Sequence, residues 1–322
     1  MKAWIVREFG GLDKMKWEDL PDPQPAAGEV LIDVVASGIN FAESRMRDGS
    51  YKGTPLPHIL GLECGGTIAK VGAGVTKFKP GDRVMARTRG SHATKVLAEA
   101  RKTHLLPPSM TFEEGAAVPV GWHTAWHALV TVANVQPGQK VLIEAVASSV
   151  GSAALQIAKH RGCWVGGTAS RDDKLALAKQ WGCDAVYNYK SADWSTRVLT
   201  DTGGNGIDAS CATIGAETIQ ALLDCMGQEG KVINYGSTSG IVITYNLRIG
   251  ERNISLHSMS IDSSPKYVPI TLPTFEAQAM PMFASGGYKA VVGTVLPMSD
   301  LPRAHEMIHE RRHFGKIIMK ND

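Results

Sequence analysis

From residue 138 to residue 260, short apolar runs alternate with segments in which apolar positions recur at helical spacing. The runs that predict strands are QKVLIEA, CWVGGTA, DAVYNY, IDASCA and KVINYG. The segments that predict helices are SVGSAALQIAKHRG, RDDKLALAKQWG, SADWSTRVLTDTGG and AETIQALLDCMGQEG. Nearly every predicted helix closes on glycine, which readily adopts the left-handed conformation at a helix end. Strands alternating with helices in this way predict an α/β fold with a doubly wound parallel sheet.

The first third of the chain has the pattern of a β-rich domain instead. Its β-branched runs, separated by glycine-containing turns, are EVLIDVVASGIN, GGTIAKVGAG and GDRVMARTRG. This spacing is typical of a small barrel or a partly open sandwich. SMTFEEGAAV then carries a helix-start signature. The tail that ends in FGKIIMK is too short to fold alone, so we expect it to rejoin the N-terminal part.

Composition supports a globular protein with a substantial core. The 322 residues are 43% hydrophobic and 20% charged, enough for one large domain or two ordinary ones. The net charge is only +3, and lysine and arginine are spread along the chain, so we expect no nucleic-acid partner and no membrane surface. Charges interrupt the N-terminal MKAWIVREFGG, which therefore does not resemble a signal peptide.

The cysteines indicate a reducing compartment. They are odd in number, share no CxxC spacing, and occupy positions Cys64, Cys163, Cys183, Cys211 and Cys225. Such residues are most often buried, reduced thiols, so we expect a cytoplasmic protein without disulfides.

The stretch EAVASSVG joins a predicted strand to a predicted helix, and three interpretations of it are open. A dinucleotide turn needs small residues there, so that backbone N–H groups and the helix N-terminus can approach phosphates. Ser148 and Ser149 are small, and Gly151 allows the helix to lie close to the strand. Alternatively, the serines only cap the helix.

The third interpretation is the nucleophile elbow of a hydrolase. Ala147 would stand for the first glycine of G-x-S-x-G, Ser149 would be the nucleophile, and Gly151 would close the motif. A hydrolase also needs an acid and a histidine at later strand ends. Here Asp208 begins a predicted strand and His257 lies inside one, which disfavours this interpretation.

The end of the next predicted strand bears on which nucleotide such a turn would hold. An NAD site places a carboxylate there for the ribose 2′-hydroxyl. This chain has GGTAS followed by Arg171 and Lys174, a hydroxyl-rich and basic set suited to a 2′-phosphate. The alternative is ordinary helix chemistry, with Asp172 and Asp173 in the first turn and Lys174 solvated.

Taken together, the chain resembles the medium-chain dehydrogenase/reductase superfamily, and within it the zinc-free NADPH:quinone oxidoreductases and ζ-crystallin-like proteins. The segments that carry the resemblance span nearly the whole chain and keep the family's order and spacing. They are residues 37–51, 57–86, 110–129, the turn at 144–151, and residues 167–174, 186–190 and 315–319. The resemblance implies a GroES-like β-barrel catalytic domain from residues 1–124 and 263–322. It also implies a Rossmann domain from residues 125–262 that binds NADPH, and a homodimer paired through the edge strand RNISLHSMSID.

The resemblance also assigns site residues. It places Asn40 near the nicotinamide and the substrate carbonyl, and Tyr51 beside the substrate. The residues implied to bind the cofactor are Thr124, Ser148, Ser149, Val150, Gly151, Ser170, Lys174, Tyr189, Gly236 and Ser237. Among these, Lys174 and Tyr189 would hold the 2′-phosphate and the adenine ribose.

Two departures from the family's patterns matter. Zinc-dependent members have a cysteine and a histidine where this chain has Asn40 and Leu62, so we expect no catalytic zinc. The family's usual turn GAxGGVG is AVASSVG here, which makes the turn's fit to the cofactor the main question.

The resulting expectation is an NADPH-dependent oxidoreductase acting on a quinone or an α,β-unsaturated carbonyl. Two alternatives stay open: a nucleotide-binding protein with little catalysis, and a serine hydrolase that uses Ser149.

Overall fold

A computed structural model of this chain describes residues 1–240, 247–310 and 313–321. Within these residues the chain forms two compact units. The first combines Met1–Val120 with the described residues from Thr274 onward, and the second comprises the described residues of Gly121–Pro273.

The strands, labelled β1 to β16 in chain order, are Lys2–Val6, Met15–Asp19, Glu29–Gly38, His58–Ile59, Glu63–Val71, Arg83–Arg87, Lys95–Glu99, Thr103–Leu105, Lys140–Ile143, Trp164–Ala169, Ala185–Asn188, Ile207–Ala212, Met226–Asn234, Ser255–Ser258, Val292–Pro297 and Lys316–Lys320. The α-helices, labelled α1 to α10, are Phe41–Asp48, Phe112–Ala116, Pro119–Trp126, Ser149–His160, Asp172–Gln180, Trp194–Asp201, Ile219–Asp224, Leu247–Glu251, Leu272–Ala284 and Leu301–His309. π-Helical turns occupy His127–Val132 and Tyr267–Thr271.

The first unit is built around the long strand β3, which pairs antiparallel with β5, β7 and β16. Its larger sheet has the order β15-β16-β3-β5-β6-β8, and a smaller sheet has the order β2-β1-β4. The pairing of β16 with β3 returns the C-terminal tail to the N-terminal part, as the sequence predicts. The β-rich character predicted for this part of the chain is therefore confirmed.

The second unit contains a parallel sheet with the order β11-β10-β9-β12-β13-β14 among the described residues. This is the strand order of a doubly wound dinucleotide fold, in which the crossing point lies between β9 and β12. Val141, Leu142 and Ile143 of β9 are all fully buried, because helices cover both faces of such a sheet. The predicted fold class is confirmed.

One predicted helix is too long. α7 ends at Asp224, and β13 begins at Met226, within the segment AETIQALLDCMGQEG. Gly227 lies so close to the backbone that an added Cβ would be 2.5 Å from the carbonyl oxygen of Asn205. Pairing of Met226 with Ile207 of β12 thus decides the local structure over helix propensity.

The described residues include no helix that combines the length and the hydropathy required to cross a membrane.

Candidate functional site

The turn that the sequence singled out lies at the carboxyl end of β9, where Ser148 is the N-cap of α4. The Ser148 hydroxyl accepts the N–H of Gly151 at 3.0 Å, and the Ser148 N–H donates to the carbonyl of Ala145 at 2.8 Å. Ser148 has extended backbone angles, φ −79° and ψ 171°, as an N-cap residue should. Its side chain is therefore committed to the helix terminus.

Ser149 has a different environment. A Cβ added to Gly121 of α3 would lie 2.4 Å from the Ser149 hydroxyl oxygen, so this side chain lies against the Gly121 backbone. Within the described part of the chain, no histidine or carboxylate contacts that hydroxyl by a hydrogen bond. A hydrolase nucleophile requires such a base, and the geometry gives Ser149 none.

With both side chains directed elsewhere, the backbone of the turn is available to a ligand. The N–H groups of Ser149 and Val150 have no acceptor among the described residues. They lie in the first turn of α4, a helix of 12 residues whose N-terminus favours an anion. The turn thus supplies the donors that a dinucleotide phosphate needs, although serines replace the usual glycines.

Gly151 is the position where the turn has no room for a side chain. An added Cβ would lie 2.4 Å from the carbonyl oxygen of Ala145 and 2.7 Å from Cα of Val146. Glycine at this position therefore lets α4 begin close to the backbone of the turn.

Sequence reasoning missed a buried carboxylate beside this turn. Glu144, directly after β9, is 1% exposed, and its Oε2 accepts the N–H groups of Thr213 and Ile214 at 2.8 and 2.9 Å. Its Oε1 accepts the hydroxyl of Thr218. Burial raises the pKa of this carboxyl, against the effect of these three hydrogen bonds. The signal in the sequence was a charged residue inside the apolar run VLIEA.

Gly236 and Ser237 follow β13, at the same end of the sheet as the turn. A Cβ on Gly236 would be 2.4 Å from the hydroxyl of Thr213, so this backbone lies close to the loop after β12. The structure therefore brings Gly236 and Ser237 together with the loop that Glu144 holds.

The residues expected near a 2′-phosphate are also brought together, at the ends of β10 and β11. The N–H of Tyr189 donates to the carbonyl of Ala169 at 3.1 Å, which places Tyr189 next to Ser170. Lys174 lies in the first turn of α5, and its N–H donates to Asp173 Oδ1 at 2.9 Å. Arg171 forms an ion pair with Asp173 at 2.6 Å.

Thr124 lies on α3, one helical turn after Gly121, and is buried. Residues three apart share a face of a helix, so Thr124 extends the face that contacts Ser149. The second unit therefore carries all of the predicted cofactor residues, grouped at the carboxyl end of its sheet and on α3.

In the first unit, Asn40 connects β3 to α1 and is bonded on every side. Its N–H and its Nδ2 each donate to Glu43 Oε1 at 3.0 Å, and Nδ2 also donates to Glu63 Oε1 at 3.0 Å. Its Oδ1 accepts the ammonium of Lys316 at 2.6 Å. The amide orientation is thus set by two carboxylates on one side and a cation on the other.

Lys316 and Glu63 form a buried ion pair, with side chains 2% and 0% exposed. Glu63 Oε2 also accepts the N–H of Val120 at 2.7 Å. A Cβ on Gly38 would lie 2.5 Å from Cε of Lys316 and 2.8 Å from Glu63 Oε1, so the pair occupies the space beside that glycine. Glu63 and Lys316 belong to the segments GLECGG and GKIIM, and the sequence alone assigned neither residue a role.

The cluster around Asn40 continues through Glu43. Oε2 of Glu43 is 2.5 Å from Nε2 of His92, whose Nδ1 is 2.7 Å from the hydroxyl of Ser37. Burial opposes ionisation of Glu43, yet the charge and hydrogen bond of His92 and the bond from Asn40 keep its pKa below the ordinary value. The Asn40 cluster, defined as Asn40 with Glu43, Glu63, His92 and Lys316, is therefore ionic and almost fully buried.

Tyr51, the other predicted catalytic residue, is not part of the Asn40 cluster. It lies in the turn after α1, where its N–H donates to the carbonyl of Arg45 at 2.8 Å. Its side chain is 37% exposed. It is thus accessible, whereas the Asn40 amide is held inside a network.

The part of the chain that the structure describes contains no group of three or more histidine, cysteine, aspartate or glutamate side chains arranged to hold a metal ion.

Two family models match the chain. The model described as the alcohol dehydrogenase GroES-like domain matches residues 26–118, and the one described as zinc-binding dehydrogenase matches residues 149–277. The two matches fall mainly in the first and second compact units, respectively.

Known proteins are similar over the whole length. Quinone oxidoreductase of Rattus norvegicus is 32% identical over 324 residues, covering 99% of this chain and 97% of the rat protein. A mycobacterial protein solved with NADPH is 31% identical with a TM-score of 0.92, covering 99% of both chains. Escherichia coli quinone oxidoreductase, also solved with NADPH, is 28% identical with a TM-score of 0.91, covering 99% of this chain and 100% of that one. The predicted combination of a GroES-like and a Rossmann domain is confirmed.

Proposed function

The chain belongs to the quinone oxidoreductase branch of the medium-chain dehydrogenase/reductase superfamily, and on that premise we propose that it is a zinc-independent, NADPH-dependent oxidoreductase. Its substrate is a quinone or an α,β-unsaturated carbonyl. The observation that carries the proposal is the turn after β9, where the N–H groups of Ser149 and Val150 at the start of α4 have no acceptor within the described part of the chain.

Each part of the cofactor has a candidate partner on this chain. The backbone of Ser148–Gly151 holds the pyrophosphate, while Lys174, Tyr189 and Ser170 hold the 2′-phosphate and the adenosine ribose. Thr124, Gly236 and Ser237 lie along the rest of the nucleotide. Bound NADPH would supply a hydride equivalent. The protein's part is to hold the nicotinamide and the substrate in an orientation that allows transfer.

On the substrate side, Asn40 and Tyr51 are the proposed catalytic residues. Reduction adds a hydride to an electrophilic carbon and leaves negative charge on the substrate oxygen, which later takes a proton. The exposed hydroxyl of Tyr51 is free to donate to that oxygen. Asn40 orients the carbonyl group from within its ionic cluster.

Zinc independence is supported by what surrounds Asn40. The Asn40 amide oxygen accepts the Lys316 ammonium, and the amide NH₂ donates to the carboxylates of Glu43 and Glu63. Zinc-dependent relatives need a cysteine thiolate at the position of Asn40. We expect turnover to survive dialysis against a strong chelator, with zinc absent by elemental analysis. Loss of activity on chelation, restored by zinc alone, would refute this part of the proposal.

The test of the activity is NADPH oxidation, followed by absorbance, with a panel of ortho- and para-quinones and aliphatic enones. Asn40→Ala is expected to lower turnover more than it lowers NADPH affinity. Asn321→Ala is the matched control, because the Asn321 amide bonds backbone carbonyls of Val34 and Ala93 in the same unit. Unchanged turnover in Asn40→Ala would remove its catalytic role.

Lys174→Ala tests the 2′-phosphate assignment. Loss of one charge-assisted contact should reduce the preference for NADPH over NADH by about tenfold. Lys179→Ala is the control, since its ammonium bonds the carbonyl of Asp184 at the other end of α5. An unchanged NADPH-to-NADH ratio in Lys174→Ala would show that another group binds the phosphate.

The same assays separate the alternatives. Nucleotide binding without turnover on any quinone or enone would favour a structural or regulatory protein. Labelling by a fluorophosphonate probe that disappears in Ser149→Ala would favour a hydrolase.

We further propose a homodimer that pairs through β14, the terminal strand of the parallel sheet among the described residues. Leu256 of this strand is 48% exposed. Sedimentation should give a dimer for the wild type and a monomer for Leu256→Lys. A monomeric wild type at micromolar concentration would contradict the proposal.

A further inference from the structure

Glu144 uses both carboxylate oxygens to hold a neighbouring loop. Within the described residues, its three side-chain hydrogen bonds all come from the segment 213–218, which follows β12. Two of the donors are backbone N–H groups, that of Ile214 buried and that of Thr213 partly buried, and both would lose this acceptor if the carboxylate were removed. A carboxylate that is 1% exposed is costly to bury, and core packing alone would be satisfied by an apolar residue.

The backbone of Glu144 is equally tied to the turn. Its N–H donates to the carbonyl of Cys211 at 3.0 Å. The next residue, Ala145, has φ of 49°, a left-handed conformation that a residue with a side chain adopts only when its surroundings hold it. Ala145 in turn accepts the N–H of Ser148 at 2.8 Å. A displacement of Glu144 is therefore transmitted to the N-terminus of α4.

The segment 213–218 is also hydrogen-bonded to the loop after β13. The N–H groups of Thr238 and Ser239 donate to the carbonyls of Thr213 and Ile214 at 3.0 and 2.8 Å. The Ser239 hydroxyl donates to the carbonyl of Ile214 at 2.7 Å and accepts the N–H of Glu217 at 3.1 Å. Three loops at one end of the sheet thus form a single hydrogen-bonded set, with Glu144 at its centre.

We propose that Glu144 is a positioning residue for the nucleotide: through its bonds to segment 213–218 it fixes the turn 145–151 and the loop 236–240 relative to each other. This inference rests on the proposed binding of NADPH, because both of these loops carry residues assigned to the cofactor. Glu144 itself acts through these loops and does not contact the nucleotide.

The chain offers a matched control at the opposite end of the same two strands. Asp208 of β12 accepts the N–H of Lys140 of β9 at 2.6 Å through its carboxylate. It joins β9 to β12 at their amino ends, as Glu144 does at their carboxyl ends. Asp208→Ala therefore removes a comparable strand-to-strand bond far from the proposed nucleotide loops.

The experiment measures the Kd for NADPH by nicotinamide fluorescence in the full-length wild type and three variants. Glu144→Ala should weaken binding by about tenfold or more, because two N–H groups lose their acceptor and the loops shift. Glu144→Gln should stay within about threefold of the wild type, since its amide oxygen still accepts both N–H groups and its NH₂ can donate to Thr218. Asp208→Ala should lower Tm while leaving Kd unchanged.

A ligand-free measurement keeps the inference separate from the proposed function. Amide hydrogen exchange in Glu144→Ala should accelerate in residues 145–151 and 236–240 and stay unchanged at Lys140. This result would show that Glu144 fixes the two loops, whether or not a nicotinamide nucleotide binds. Absence of nucleotide binding, by contrast, would refute the proposed function.

If Glu144→Ala does not fold, Thr218→Val replaces it, because that variant removes only one hydroxyl donor. The same two loops should then exchange faster, with Thr218→Ser restoring protection. Unchanged exchange in both loops, or an equal loss of NADPH affinity in Asp208→Ala, would overturn the inference.

Discussion

The ammonium of Lys316 lies 2.6 Å from Oδ1 of Asn40, although the two residues are 276 positions apart in the chain. The same ammonium is paired with the buried carboxylate of Glu63. The last strand of the protein therefore delivers the cation that orients the amide of a proposed catalytic residue. Without the Lys316 ammonium, the neighbouring carboxylates of Glu43 and Glu63 would be buried with less positive charge to offset their desolvation.

Removal of the Lys316 ammonium should lower the stability of the protein markedly. Lys316→Met leaves Glu63 buried without its partner, and we expect the free energy of unfolding to fall by about 3–5 kcal/mol. Lys320→Met is the control on the same strand, because Lys320 is half exposed and pairs with Glu113 at the surface. That control should cost at most about 1 kcal/mol. Chemical denaturation measures both, and equal losses would contradict the assigned role.

The N-cap of α4 gives a smaller and more local prediction. Ser148→Ala removes the acceptor of the Gly151 N–H and should lower the free energy of unfolding by about 1 kcal/mol. Ser148→Gly should cost only a few tenths of a kcal/mol, roughly what glycine costs at other N-caps. Urea denaturation compares the two variants. If alanine and glycine were equivalent, the hydroxyl would not be acting as a cap.

Contact between Gly121 and Ser149 predicts a compensating pair of substitutions. Gly121→Ala places a methyl group where the Ser149 hydroxyl lies, so we expect a loss of about 1 kcal/mol and weaker NADPH binding. Adding Ser149→Gly removes the clash and should recover most of both losses. Thermal denaturation and nucleotide titration of the single and double variants test the coupling. Additive effects would show that the two residues do not interact.

His305 makes stability depend on pH. Burial lowers its pKa to about 3. The Glu43 carboxylate opposes this shift, whereas nearby positive charge, including that of Arg47, adds to it. An unfolded histidine has a pKa of about 6.5. The folded state resists protonation, so this contribution to stability is fully present above about pH 6.5 and is lost as the pH falls toward 3.

The measurement is urea denaturation at several pH values between 7 and 4. His305→Leu should lose less stability over this range than the wild type. Parallel pH dependence in the wild type and His305→Leu would contradict the assignment.

Much of the second unit could be predicted from the sequence because its signals are local. β9, which is buried on both faces, contains the unbroken apolar run of residues 141–143. Gly162 and Gly182 mark helix ends with φ of 75° and 103°. The turn after β9 was located in the same way. The sequence left open whether its serines cap, react or bind, and the structure gives Ser148 the cap and Ser149 a contact with Gly121.

Most of the contacts that support the candidate site could not be predicted from the sequence around each residue. α1 is a polar helix that a capping box of Asn40 and Glu43 stabilises, and its sequence shows no apolar period. Glu43 meets His92 across 49 positions, and Glu144 meets Thr218 across 74. Such pairings depend on how the strands are arranged in the fold. The sequence pattern therefore shows a charged residue in an apolar run but does not identify its partner.

Titration of the purified protein with NADPH and with NADH decides whether the serine-containing turn of this chain binds the nucleotide. Nicotinamide fluorescence reports binding of either nucleotide. We predict saturable binding with a clear preference for NADPH. The turn has two N–H donors without an acceptor among the described residues, and Lys174 lies in the first turn of α5, the helix that follows β10. Absence of binding to both nucleotides would show that this turn does not hold a nicotinamide nucleotide.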